Sequence, residues 1–223
     1  MLIVHHLNDS RSQRILWLLE ELGMHYEVKR YARDPQAMLA PSELRAIHPL
    51  GKSPIITDGG ATIAESGAII EYLLERYGEG RLIPAPGSPE RLRYTYWLHF
   101  AEGSAMPPLL LKLVFDRIEA APAPFFIKPV ARALAGKVKS TFIEPNLARH
   151  LSFMEAELTA HEWFAGNEFS AADIQMSFPV EVSRARGGLD ERWPRLIRYH
   201  ERIHARPAYK RALATGGDYA FAS

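Results

Sequence analysis

No cysteine occurs among the 223 residues. Disulfides, thiolate zinc sites and a protein-borne redox thiol are therefore excluded, and any thiol chemistry must use a sulfur brought by a ligand. An excess of one charge is also missing. With 27 basic and 26 acidic side chains, no strong field draws the chain to nucleic acid or to an anionic membrane. Long apolar runs are absent as well: the stretch 107–114 is interrupted by Lys112, far short of the roughly 20 residues of a spanning helix. Residues 1–10 carry two histidines and an Asn-Asp pair where an export leader needs a basic start and an apolar segment. The expectation is a cytoplasmic protein with neither membrane nor nucleic-acid partners. His5, His6 and His48 lack the spacing of a ligand set, and no metal site is expected.

What is present is an ordinary globular balance, 47% apolar and 24% charged, in a chain long enough for two domains with real cores. Residues 2–6 are short, apolar and β-prone, and they run into the polar loop Asn8, Asp9, Ser10, Arg11, Ser12. Apolar residues at 15, 16, 18, 19 and 22 then mark one helical face, stopped by Gly23. A second strand is expected over 26–31. Asp34-Pro35 and Pro41 follow as breakers, ahead of a helical patch around 43–47. Residues 53–57 and 61–64 flank Asp58-Gly59-Gly60, a hairpin signal. Glu65 and Ser66 open a periodic helix that ends at Gly78. The order βαβ then ββα predicts a four-stranded mixed sheet with helices packed on it.

Glycine and proline gather over 79–89, which reads as a linker between a first domain, 1–78, and a second, 90–223. The second is expected to be all-helical, with helices over 90–102, 109–118, 128–139, 146–161, 171–182 and 195–206. Pro107-Pro108 and the prolines at 122 and 124 should interrupt them.

Three groups of residues bear on chemistry, and each has a plain structural alternative. Pro54 opens a strand, where proline costs a ladder bond; a cis bond after Ser53 would leave the Ser53 backbone free to pair with an extended peptide, and a simple proline turn is the alternative. Glu65-Ser66 stands at a helix start, where Ser66 and the helix amides favour an anion and Glu65 a cation. A zwitterionic amino-acid head satisfies both, and a capped helix with an exposed Glu is the alternative. Ser10 and Ser12 lie where a hydroxyl can donate to a thiolate near a helix dipole, or can merely cap that helix.

Together, His48-Pro49-Leu50-Gly51-Lys52-Ser53-Pro54, Glu65-Ser66 and Phe169-Ser170-Ala171-Ala172-Asp173-Ile174 resemble the cytosolic glutathione transferase family over essentially the whole chain. His48 stands where the family usually has Asn, and Ser53 where an aliphatic residue precedes the cis proline. The resemblance implies a thioredoxin-like α/β first domain that binds glutathione as co-substrate. Glu65 and Ser66 would hold the γ-glutamyl head, Ser53 before Pro54 the cysteinyl unit, and Lys52 would lie near the glycyl carboxylate. It implies Ser10 as the activating hydroxyl, as in the serine-type bacterial and fungal members, with Ser12, Asn8 and Arg11 as backups. Ser170 and Asp173 would form a capping box, a structural feature.

The activity implied is activation of glutathione as a thiolate that attacks a small hydrophobic electrophile or a peroxide, a detoxifying transferase with a peroxidase side activity. The acceptor would sit between the loop 7–10 and the helix around 100–115. A glutathione-dependent isomerase and a non-catalytic binding or regulatory protein are the alternatives. A homodimer is expected through 91–97, where Tyr94, Tyr96 and Trp97 accompany arginines.

Overall fold

The computed structural model describes residues 1–34 and 40–222; the expected break at Pro35 lies outside them. The first half runs β1 (Leu2–Leu7), α1 (Ser12–Leu22), β2 (Glu27–Tyr31), α2 (Ser42–Ile47), β3 (Ile55–Asp58), β4 (Ala61–Ala64) and α3 (Ser66–Tyr77). The strands form one sheet in the order β2-β1-β3-β4. β1 pairs parallel with β2 and antiparallel with β3, and β3 pairs antiparallel with β4. The expected hairpin holds because Asp58 faces Ala61 in the register, leaving two loop residues that both need positive φ. Gly59 and Gly60 supply it, at 54° and 92°.

The second half contains α4 (Pro89–Phe100), α5 (Met106–Ala120), α6 (Lys128–Val138), α7 (Glu144–Ala160), α8 (Ala171–Val182), α9 (Pro194–Ala205) and α10 (Pro207–Gly216). Turns of π-helix lie at Ala101–Ala105, Lys139–Ile143 and Ser183–Gly187. One expectation is corrected. Pro107 and Pro108 do not break the chain; they occupy the first turn of α5, where an amide donor is not required, and the preceding π-turn carries the helix across. Pro207 opens a further helix, α10, that was not among those expected.

The faces predicted for α1 and α3 are buried as expected, with Ile15, Leu16, Leu18, Leu19, Ile69, Ile70 and Leu73 inaccessible. They share one core with α4, α8 and α10. Trp17 meets the edge of Tyr209 at 5.2 Å and packs on Phe169 at 5.6 Å, so α1 is held between the sheet and the second half. That placement brings α1 side chains to α8. Tyr94 and Trp97, expected at a dimer surface, instead fill the core. Trp97 packs against Phe100, Phe153 and Phe164, while Leu92 and Tyr96 remain exposed.

Candidate functional site

A cleft of about 170 Å³ opens where the ends of β1, β3 and α3 meet the second half. The loop before β3 contributes His48, Leu50, Lys52, Ser53 and Pro54; the start of α3 contributes Ala64, Glu65 and Ser66; Arg11 and Glu102 close the far side. The Ser53-Pro54 bond is cis, and β3 begins only at Ile55, so Ser53 stays outside the sheet ladder. Lys52 is exposed at the rim.

At the start of α3 the plain cap is not what forms. Glu65 occupies the N-cap position at φ 70° with no side-chain cap bond, a backbone state that costs a non-glycine residue about 1–3 kcal/mol. Its side chain is exposed and has no hydrogen bond among the described residues. Ser66 is buried, and its Oγ does not serve the helix amides but accepts from Arg14 Nη2 at 2.9 Å. The first intrahelical bond here is from the Ile69 amide to the Glu65 carbonyl. The amides before it therefore keep their donors at the cleft end.

Arg14 is the centre of this arrangement. It reaches from α1, fully buried, and also donates to the Gln175 carbonyl and to Glu102. Arg11 binds Glu102 through Nε at 2.9 Å. Burial lowers the Arg14 pKa and the Glu102 carboxylate raises it in return. For Glu102, burial pushes the carboxyl up, but the Arg14 and Arg11 guanidinium groups outweigh it and hold it below the ordinary value. Glu102 stands in the π-turn after α4, a feature common at functional sites. Sequence reasoning missed both Arg14 and Glu102 as site residues. An arginine within an apolar helical face that must find a counter-charge was the available signal.

The serine loop is more enclosed than expected. Arg11, not a serine, is the N-cap of α1, and no side chain caps it. Ser10 Oγ lies 2.8 Å from the Leu7 carbonyl, 2.8 Å from Ser12 Oγ and 3.2 Å from Ser53 Oγ, and it receives the Ser12 amide at 3.2 Å. Ser12 Oγ lies 2.9 Å from His6 Nδ1. Burial, with the nearby Arg30 charge, pushes His6 down to about 4 and keeps the ring neutral. Asn8 Oδ1 accepts the Arg33 amide at 2.9 Å. Both serines are buried, so Ser10 reaches the cleft through Ser53 and only Arg11 of this loop lines it directly. Among the described residues no group of three His, Asp or Glu side chains is placed to hold a metal ion. No described helix is long and apolar enough to cross a membrane.

A mixed β2-β1-β3-β4 sheet, a cis proline before β3 and an all-helical second half define a thioredoxin-like domain joined to a helical domain. The N-terminal domain model of glutathione S-transferase matches residues 1–75, and the C-terminal domain model matches residues 143–207. Glutathione S-transferase 3 of Schizosaccharomyces pombe is 35% identical over 208 residues, covering 93% of this chain and 85% of that protein. A glutathione S-transferase crystal structure from Actinobacillus pleuropneumoniae is 34% identical with a TM-score of 0.79, covering 99% and 95% of the two chains. A sphingomonad glutathione S-transferase solved in complex with glutathione is 26% identical with a TM-score of 0.73, covering 96% and 98%. The chain belongs to the glutathione S-transferase family.

Proposed function

We propose that the cleft binds glutathione and that the protein is a transferase that uses it as a thiolate. The observation that carries this reading is the start of α3. A strained Glu65 with a free carboxylate adjoins a helix N-terminus whose serine is held by an arginine rather than by the helix. A γ-glutamyl head carries an ammonium and a carboxylate on one carbon. Glu65 takes the ammonium, while Ser66 and the leading amides of α3 take the carboxylate. The Ser53 backbone pairs with the cysteinyl unit, and Lys52 lies within reach of the glycyl carboxylate. The glutathione complex of the sphingomonad relative supports the ligand.

The thiol then lies near Ser53, with Ser10 behind it and Arg11 beside it. A hydroxyl donor and a positive guanidinium both favour the thiolate over the thiol. In the transfer step the sulfur lone pair forms the new bond to an electrophilic carbon, and the leaving group departs with its bonding pair. The protein contributes orientation and a lowered thiol pKa.

Titration of glutathione into the protein by calorimetry, followed by turnover with 1-chloro-2,4-dinitrobenzene and with cumene hydroperoxide, tests the reading. Ser10→Ala is expected to lower kcat more than it raises the glutathione Kd, and Ser12→Ala to cost mainly stability, on the order of 1 kcal/mol. No heat of binding, or no turnover with either acceptor in the folded protein, sinks it. The reverse pattern in the two variants moves the activating role from Ser10 to Ser12.

A further inference from the structure

The loop that carries Ser10 is held from a distant part of the sequence. Between β1 and α1 the chain turns at Asp9, which sits in the left-handed region at φ 49°. A non-glycine residue stays there only where its surroundings hold it. Arg33 Nη2 donates to the Asp9 carbonyl at 3.4 Å, and Asn8 Nδ2 donates to Asp9 Oδ2 at 3.1 Å. The Ala220 amide donates to Asp9 Oδ1 at 2.7 Å, across 211 positions of sequence. Of these bonds the last is the shortest, and it joins two segments that local spacing would never connect.

The donor belongs to a turn that is itself anchored. The Ala222 amide donates to the Tyr219 carbonyl at 3.1 Å, which closes a four-residue turn with Ala220 as its second residue. Tyr219 is buried, and its hydroxyl donates at 2.6 Å to Glu181, a buried side chain of α8 that also accepts from the Tyr209 hydroxyl at 2.7 Å. Phe221 is buried too and meets the Phe178 ring edge-on at 5.6 Å, while the Arg11 guanidinium lies over Phe178 at 5.2 Å. Both sequence neighbours of Ser10 are thus held from one turn, Asp9 by a hydrogen bond and Arg11 through packed rings.

We propose that the turn 219–222 is a positioning element for thiol activation and that Asp9 is the residue through which it acts. The bond from Ala220 keeps Asp9 in its left-handed state and so holds Ser10 where its hydroxyl meets the glutathione sulfur. Neither Asp9 nor Ala220 lines the cleft; both act through Ser10. The proposal rests on the thiolate reading of the site, and it carries a sign. Through space, the Asp9 carboxylate opposes a thiolate, so removal of its charge alone favours ionisation of the thiol. Loss of a tether does the reverse. The titratable groups that line the cleft are Arg11, His48, Lys52, Glu65 and Glu102, and those acting on Asp9 are Arg33 and the neutral His6; all are left in place by the variants below.

Ala220→Pro breaks the bond without altering a charge. Proline suits the second position of such a turn, Ala220 is exposed, and the ring removes the one amide that Asp9 accepts from it. Ionisation of bound glutathione is followed across pH by the ultraviolet absorbance of the thiolate, and kcat and KM are measured with 1-chloro-2,4-dinitrobenzene. In Ala220→Pro and in Asp9→Ala the bound thiol should titrate higher than in wild type. At neutral pH kcat should be about tenfold lower, short of the roughly hundredfold cost of a 1 Å misplacement. KM for glutathione should stay nearly constant, and the loss should shrink at high pH, where the thiol ionises unaided. The double variant should be no worse than either single one. Asp9→Asn, which keeps the Oδ1 acceptor, should restore wild-type behaviour. A thiol that titrates at or below the wild-type value in Ala220→Pro, or losses that add in the double variant, overturns the proposal and leaves the thiolate reading standing. Equal losses in Asp9→Asn and Asp9→Ala overturn it as well, because the charge and not the bond would then matter. Wild-type protein that fails to bind glutathione, or binds it without lowering its thiol, overturns the thiolate reading, and the positioning role falls with it.

Discussion

The starts of α8 and α3 each carry a serine and an acid, and they use them in opposite ways. At the start of α8, Ser170 and Asp173 satisfy one another. Asp173 is fully buried and accepts the Ser170 amide at 2.9 Å, the Ser170 hydroxyl at 3.2 Å and the Phe164 amide at 2.9 Å. At the start of α3, Glu65 and Ser66 satisfy nothing locally: one is strained and exposed, the other is bonded to Arg14 from another helix. The residue types are alike, and what separates a cap from a candidate ligand site is whether the polar groups close on themselves. A self-satisfied network stabilises the fold and has nothing left for a ligand. An unclosed one costs stability until a ligand completes it.

The largest effect expected from this difference is in Asp173→Ala. It strips the acceptor from two buried amides and a buried hydroxyl, a loss of about 3–5 kcal/mol. Urea midpoints at constant slope measure it, and glutathione affinity in the folded fraction should be unchanged. A drop in affinity of the same size would mean that the α8 cap reports on the ligand site, and the contrast would fail.

The same cap predicts a pH dependence. Burial pushes the Asp173 carboxyl up to about 6, against the hydrogen bonds from Phe164 and Ser170 that lower it. The folded state then binds this proton more tightly than the unfolded state, whose carboxyl has an ordinary value near 3.8. The stability this group contributes is therefore greatest below about pH 4 and declines as pH rises through about 6, by roughly 3 kcal/mol in all. Stability measured from pH 4 to 7 in wild type and Asp173→Asn isolates it: the variant should lose that slope, whatever offset it gains.

The α3 pair should respond in ligand binding instead. Glu65→Gln keeps the shape and removes the charge that meets an ammonium, and glutathione affinity should fall by about 2–3 kcal/mol, with stability nearly constant. Ser66→Ala removes one donor while the helix amides remain, so about 1–2 kcal/mol, near tenfold, is expected. Calorimetric titration with circular dichroism on both variants checks the order. Unchanged affinity in folded Glu65→Gln would make this pair no more than a helix start.

How far the sequence carries these contrasts depends on the range of the interactions. The hairpin, the helix over 66–77 and the capping box rest on neighbours within a few residues, so Gly59-Gly60 and Ser170 with Asp173 announce themselves. Glu65 and Ser66 were legible as a pair for the same reason. Arg14 with Glu102 was not, because the two are 88 positions apart and only the packing of α1 against the second half makes Arg14 need a buried partner. At the serine loop the alternative to an activating hydroxyl was a helix cap, and that cap does not form: the loop turns back on β1, so that Leu7 and His6 take the hydroxyls. The helix that Pro207 opens was not legible either, because what α10 has to pack on is α1, far away in the sequence.

The smallest expected effect has the most diagnostic sign. At φ 70° and ψ 121°, Glu65 sits in a region that only glycine adopts at little cost. If the residue were there to stabilise the helix, replacing it with glycine would weaken the fold, since glycine adds entropy to the unfolded chain. If it is held there for a ligand, Glu65→Gly releases strain of about 1–3 kcal/mol against an entropic cost of about 0.5–1 kcal/mol. The net expectation is a gain of about 1 kcal/mol, a rise of a few degrees in Tm for a chain of this size. Glutathione affinity should fall at least as far as in Glu65→Gln, because the carboxylate is gone in both. Stability and affinity thus move in opposite directions at this one position, whereas Asp173→Ala lowers stability alone. A Glu65→Gly protein that melts below wild type would show that the strained residue supports the fold, and the distinction between the two helix starts would lose its basis.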